Sequence, residues 1–488
     1  MFSTQVYTAG SGKGLKQQDS TSEGKKTATG TQTFRTDGEF KVPASLQDAV
    51  AHVAPLHTHM SSTGGEPVWR SQAHLQDTTP PVVADPSSGA WGGQLSAGAA
   101  GATVCNTSSI SAECVRSTYK IDTYEPKPVP GVPDLGIIGW IGETFQQKSL
   151  TKYLQTYRPE AANYTVPVYI APGSKAEEVT GEGDLDIQMA VGMTWPLNVT
   201  WLSLGNPDAN DRLIAQKSFE DLIAMPASLR PGVLSFSYET GELIGADIVA
   251  AACTAAQKLT ALGTTLVFSS GDGGYGCSHK NDTHIPAYFP SSCPYVLSVG
   301  GTEPTSYDAA PQIEPEILLG SKNDDSVESG IGISAVFDVP DYQKPVLLPY
   351  LNSSSNKGKG SYRDGGRWAP DISTLGSQFT IYTTVRNEQW RLASGTSVSA
   401  PLMASLLALV NSARREKGLG NVGFAHPTLY KGKFTDITKG SLYECQMPTR
   451  PGFVCTEGFD IAGLGSPRLT DLLDLFLTNG TQTGTGEQ

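Results

Sequence analysis

Residues 393–413 read ASGTSVSAPLMASLLALVNSA, and the character of the stretch changes half-way. Up to residue 400 it is small and turn-forming. From Pro401 onward apolar residues recur at helical spacing. The pattern predicts a loop that enters a helix at Pro401, whose missing N–H costs little in a first helical turn. Ser397 then stands beside the free N–H groups of a helix start, which favour negative charge. A serine so placed can attack a carbonyl, and neighbouring amides can hold the oxyanion that forms. Gly395 allows close approach of the backbone to a substrate. Ser, Thr and Gly also open helices as ordinary caps, so the string alone leaves that role open.

Working outward, apolar strand-like runs alternate with helix-like ones. LGIIGWI at 135–141 precedes SLTKYLQTY at 149–157. VLSFSY at 233–238 precedes ADIVAAACTAAQKLTAL at 246–262, which precedes TTLVFSS at 264–270. This alternation predicts an α/β domain whose parallel strands are covered by helices.

A serine hydroxyl needs a base. The seven histidines are His52, His57, His59, His74, His279, His284 and His426, and none stands in an HGT-type setting. Carboxylates are better candidates. Residues 180–193, TGEGDLDIQMAVGM, carry Glu182 and Asp186 four positions apart. On a helix that spacing puts both on one face. Adjacent carboxyls share a proton and their titrations split. Such a pair takes a proton from serine and returns it to a leaving amine, chiefly in acid. The same residues also suit an acidic helix N-terminus held by the dipole. Asp272 follows the apolar run 264–268 in a glycine-rich turn, where acids at the C-terminal ends of parallel strands are well placed for sites. Kept neutral by its surroundings, it would donate to an oxyanion. Asp-Gly is equally an ordinary turn.

Taken in order, EGDLD (Glu182, Asp186), SSGDGGYGC (Asp272) and SGTSVSAP (Ser397) resemble the motifs of the sedolisin family of serine-carboxyl peptidases, which includes acid tripeptidyl peptidases. The flanking strings LGIIGWIGE, PGVLSFSYE, FPSSCPYVLSVGGT, VPDYQKPVLLPYL and APDIST agree, so the likeness runs from about Cys105 to about Leu475. The resemblance implies a subtilisin-like three-layer α/β domain with a mostly parallel central sheet, preceded by a propeptide remnant. It implies Ser397 as nucleophile, Glu182 as general base and then acid, Asp186 as its orienting partner, and Asp272 in the oxyanion hole.

The resemblance also implies one structural calcium ion near the C-terminus. KFTDIT offers Asp436 and the Ile437 carbonyl. CTEGFDIAGLGSP offers Asp460 and the carbonyls of Thr456 and Gly458. Thr456 stands where the family often has glycine, a change that a backbone ligand tolerates. Two carboxylates with several carbonyls suit a hard cation.

The chain has 488 residues, 53 of them glycine, and only 17% charged residues, which suits a loop-rich enzyme with a large core. Its 35 basic and 48 acidic residues give a net charge of −13, which argues against nucleic acid as a partner. Peptide or protein substrates and the chain's own propeptide are the expected partners, with no membrane and a monomeric state. No stretch reads as long enough to span a bilayer. Related enzymes carry short-loop disulfides, so Cys105–Cys114, Cys277–Cys293 and Cys445–Cys455 are the expected bridges, with cross-pairing between the last two sets left open. Cys253, in an alanine-rich helix, is expected to be a buried thiol. Sequons at Asn106, Asn163, Asn198, Asn281, Asn352 and Asn479, with the cysteines, favour secretion, or a vacuolar or lysosomal location.

Residues 1–60 read as the C-terminal part of a propeptide and 61–103 as a linker containing the activating cleavage. The catalytic domain is expected at 104–478 and a polar tail at 479–488. The first residues lack an apolar signal core, so the chain is expected to begin part-way through its propeptide. The expected function is release of tripeptides from free N-termini in acid. An endopeptidase of the same family, a non-catalytic or zymogen-locked binding form, and a neutral histidine-dependent subtilase are the alternatives.

Overall fold

The computed structural model describes residues 70–71, 74–76, 105–205, 212–275, 287–305, 316–320, 327–353, 362–385, 387–443 and 451–478. The chain divides into two units, 1–66 and 67–488; the first lies outside the described residues. The second is built on an eight-stranded sheet. Its order is Glu316–Leu318, Leu297–Pro304, Thr265–Ser269, Val233–Phe236, Leu135–Gly139, Val199–Ser203 and Val168–Ile170, with Ile372–Leu375 also joined to Leu297–Pro304. Every pairing is parallel except that of Glu316–Leu318. This is the expected three-layer α/β class.

Parallel strands covered on both faces are apolar on both, and the two-residue period sorts their side chains. Leu135, Ile137, Val199, Trp201, Val233 and Val267 face one core. There they meet the helices Gln147–Tyr157, Gly181–Thr194, Thr396–Glu416 and Leu469–Thr478. Ile138, Leu202, Leu234, Phe236, Leu266 and Phe268 face the other, against Ile214–Ala224 and Ala246–Ala261. Phe236 and Phe268 are register partners on adjacent strands, and their rings stack at 4.0 Å.

The serine-bearing helix starts earlier than its composition suggests. It spans Thr396–Glu416 with Pro401 inside it. Gly395, at φ 135° and ψ 165°, makes the sharp entry in a region closed to other residues. Ser397 is therefore in the first turn, and Pro401 lacks the N–H that would bond the Ser397 carbonyl. With 21 residues, this helix has the length and apolarity to cross a bilayer, contrary to the expectation from sequence. From Thr396 to Ala413 it is buried inside the protein, where a central core helix meets apolar neighbours all round.

The cysteine expectations are met only in part. Cys105–Cys114 is bridged. Cys253 is bridged to Cys293 and is not a free thiol, so the Cys277–Cys293 pair does not form. The inward face of helix Ala246–Ala261 brings Cys253 beside a cysteine 40 residues away, which short-loop spacing does not reveal. Cys455 is a buried thiol rather than half of a bridge to Cys445. Cys277 and Cys445 themselves lie outside the described residues.

Candidate active site

Four segments meet where the parallel strands end. Strand Val233–Phe236 runs into Ser237, strand Thr265–Ser269 runs into Asp272, and the helices Gly181–Thr194 and Thr396–Glu416 pack on one another. Thr180 caps the first helix by accepting from Gly183 N–H at 3.1 Å, and all fourteen helical residues are buried. Such burial is unusual for a segment holding three carboxylates. Charges this deep are costly unless paired, hydrogen-bonded or neutralised.

Asp186 Oδ1 accepts from Ser237 Oγ at 2.9 Å. Burial, and then the neighbouring Glu182 charge, hold its pKa well above the ordinary carboxylate range, making it a weaker acid. A third carboxylate, Glu143, contributes to the same field and accepts from the buried Tyr238 hydroxyl at 2.9 Å. Glu143 follows a turn in which Ile141 has φ 50°. That conformation is strained for a β-branched residue. Sequence reasoning quoted the strings around Glu143 and Tyr238 without giving either a role. The GWIGE turn was the available signal.

Asp272 is 9% exposed and fastened from one side. Its Oδ1 accepts from Thr396 N–H at 2.7 Å and from Thr396 Oγ1 at 2.8 Å. Oδ2 has no hydrogen-bond partner among the described residues. Burial pushes the carboxyl up to about 7, so in acid it is a neutral donor. Thr396 immediately precedes Ser397, whose Oγ is buried and likewise without a partner among the described residues.

Asp184, on the opposite side of the same helical turn, plays a structural part that sequence reasoning did not single out. Its Oδ1 accepts from Gln146 N–H at 2.9 Å, and burial pushes it up to about 6. Among histidines, the buried His426 is engaged elsewhere. Its Nε2 lies 3.1 Å from the Val296 carbonyl and 3.4 Å from Asp371, in the Arg367–Asp371 cluster. His74 is described only through its backbone, opposite Ser394. The other five lie outside the described residues.

The C-terminal oxygen set also comes together. Asp436 Oδ2 accepts from Gly458 N–H at 2.8 Å. Asp460 accepts from Thr456 N–H at 2.6 Å and Ala462 N–H at 2.7 Å. The carbonyls of Ile437, Thr456 and Gly458 accept no hydrogen bond from the described residues. Two carboxylates and three uncommitted carbonyls match the oxygen chemistry of calcium. Of the sequons, Asn198 has both amide hydrogens engaged, by Val129 and Val132 carbonyls.

Residues 178–422, half of the chain, match the model of the Subtilase family. The chain belongs to the subtilase family. This subtilase is 31% identical over 375 residues to tripeptidyl-peptidase SED2 of Arthroderma otae, covering 69% of the chain and 60% of that protein. It is 31% identical over 402 residues to the probable tripeptidyl-peptidase SED3 of Arthroderma benhamiae, covering 74% and 64%. The chain thus spans less than two thirds of the length of these relatives. Its fold is similar to that of Pseudomonas sedolisin, a serine-carboxyl proteinase, at 22% identity and a TM-score of 0.61, over 78% of this chain and 100% of that one.

Proposed function

We propose that this subtilase is an acid-active serine-carboxyl peptidase. The observation that carries the reading is Asp272, held by two hydrogen bonds from Thr396 beside Ser397 and neutral below about pH 7. Ser397 Oγ attacks the peptide carbonyl carbon while Glu182 accepts the hydroxyl proton. Asp272 donates to the resulting oxyanion, which costs no reorganisation at a buried, preformed donor. Glu182 then protonates the amine nitrogen, the C–N bond breaks, and Ser397 carries the acyl group. Water attacks that ester, Glu182 again takes the proton, and Ser397 leaves with it. Asp186, hydrogen-bonded to Ser237, orients Glu182 and shares its proton.

Release of tripeptides from free N-termini is the favoured specificity, supported by the names of the relatives. A peptide assayed with a free and an acetylated N-terminus tests it: only the free form is cut. Equal cleavage leaves the endopeptidase reading. Ser397→Ala abolishes both. Asp436, Asp460 and the carbonyls of Ile437, Thr456 and Gly458 would hold one calcium ion, which ties two loops together and takes no chemical step. Two disulfides support passage through an oxidising compartment and secretion.

One observation favours a self-blocked form of the same enzyme. Arg70–Ser71 pairs with Tyr238–Gly241, and His74–Gln76 pairs with Gln389–Ser394. A chain segment on both of these strands competes with substrate.

A further inference from the structure

Residues 70–71 and 74–76 pair with two strands beside the candidate site, as an extended peptide would. Arg70–Ser71 is antiparallel to Tyr238–Gly241, with Arg70 opposite Glu239 and Ser71 opposite Tyr238. His74 is opposite Ser394, three positions before Ser397. In sequence only Gln72 and Ala73 separate the two pairings. A substrate that follows the same two pairings would have one residue opposite Glu239 and another, four positions later, opposite Ser394, which puts the residue facing Glu239 on the N-terminal side of a cut at Ser397.

Glu239 is half-buried and directed at the Asp272 loop. Gly271 immediately precedes Asp272 and has φ 117°. A Cβ there would lie 2.3 Å from Glu239 Oε2. Glu328 approaches the same loop two residues beyond Asp272, where a Cβ on Gly274 would lie 2.3 Å from its Oε2. The glycines thus leave room for two carboxylates to flank the oxyanion donor. Facing residues of an antiparallel pair have their Cβ atoms about 5 Å apart, within reach of a long side chain. A cation opposite Glu239 enters the field of that carboxylate.

We infer that Glu239 makes this position of the cleft a subsite for a basic side chain, arginine above all, in the substrate. The inference rests on Ser397 being the nucleophile and deepens that reading by naming what the cleft selects upstream of the cut. A planar guanidinium meets a carboxylate through two parallel hydrogen bonds, which a neutral residue of equal length cannot reproduce.

The test uses the full chain in mild acid and peptides based on residues 68–78, VWRSQAHLQDT. Two lengths are made, one beginning at the position of Arg70, so that either mode of cleavage has a substrate. Each carries arginine or citrulline at that position, and all keep a free N-terminus, so that one charge is the only difference. The arginine form is cut with about tenfold higher kcat/KM, through KM. Glu239→Gln brings the ratio to within about twofold of one. A ratio near one in the unaltered chain, or an unchanged ratio in Glu239→Gln, overturns the inference. Continued cleavage by Ser397→Ala instead overturns the nucleophile assignment, so the two failures are distinct.

Discussion

Thr396 gives both its backbone N–H and its hydroxyl to one oxygen of Asp272, at 2.7 and 2.8 Å. The other oxygen is thereby fixed in place and left for a ligand. Because Thr396 and Ser397 are consecutive, one helical turn sets the spacing between Ser397, the proposed nucleophile, and Asp272, the proposed oxyanion donor. Asp272→Ala is expected to lower kcat by about a hundred- to a thousandfold with little change in KM, the usual cost of a lost oxyanion donor. Thr396→Val, which keeps the N–H, is expected to cost about tenfold. Steady-state kinetics on one peptide checks both.

Asp272 acts as a donor only while protonated. Its carboxyl is raised to about 7, so kcat/KM is expected to fall as pH rises through 7. A pH–rate profile that is flat from pH 5 to pH 9 would contradict the role.

Stability follows the same sign. Asp184 and Asp272 are raised to about 6 and about 7 from a carboxylate's 3.8. For a group raised on folding, the stabilising contribution is complete below the unfolded value and is lost as pH rises through the folded one. Through these two groups the protein is expected to be more stable at pH 4 than at pH 7.5, by several kcal/mol. Asp184→Asn should reduce that difference. Urea unfolding at the two pH values measures it.

Ser237 stabilises the charged form of Asp186 through a 2.9 Å hydrogen bond. Ser237→Ala is expected to raise Asp186 further and to lower kcat about three- to tenfold. Comparing its pH–rate profile with that of the unaltered chain separates a changed titration from a general loss of fold.

The Cys253–Cys293 bridge closes a loop across the layer of helices that carries the aromatic core. Its removal by Cys253→Ser is expected to cost about 3–4 kcal/mol, read as a lower urea midpoint.

If calcium occupies the Asp436–Asp460 oxygens, a chelator lowers Tm and added calcium restores it. Asp460→Asn should make Tm insensitive to both. Differential scanning calorimetry distinguishes the cases.

Ser397, Glu182, Asp186 and Asp272 stand out as candidates in the sequence because each sits at a local transition: helix start, helix turn or strand end. Those transitions leave marks in consecutive residues, such as the glycine of SGTS or the period of EGDLD. The strands were legible for the same reason, since burial on both faces makes a strand an unbroken apolar run. Pro401 misled because proline is ordinarily a first-turn residue, whereas here the buried helix continues through it by packing on all sides.

What the chain alone determined was thus the set of elements and the residue types at their ends, which depend on backbone preference and side-chain period. Only the tertiary structure decided which distant residues meet. It joined Cys253 to Cys293, set Glu143 and Tyr238 beside Asp186, and placed Glu239 opposite Arg70. Such contacts are fixed by how layers pack and which strands share a register, and a linear pattern of residues carries no record of either.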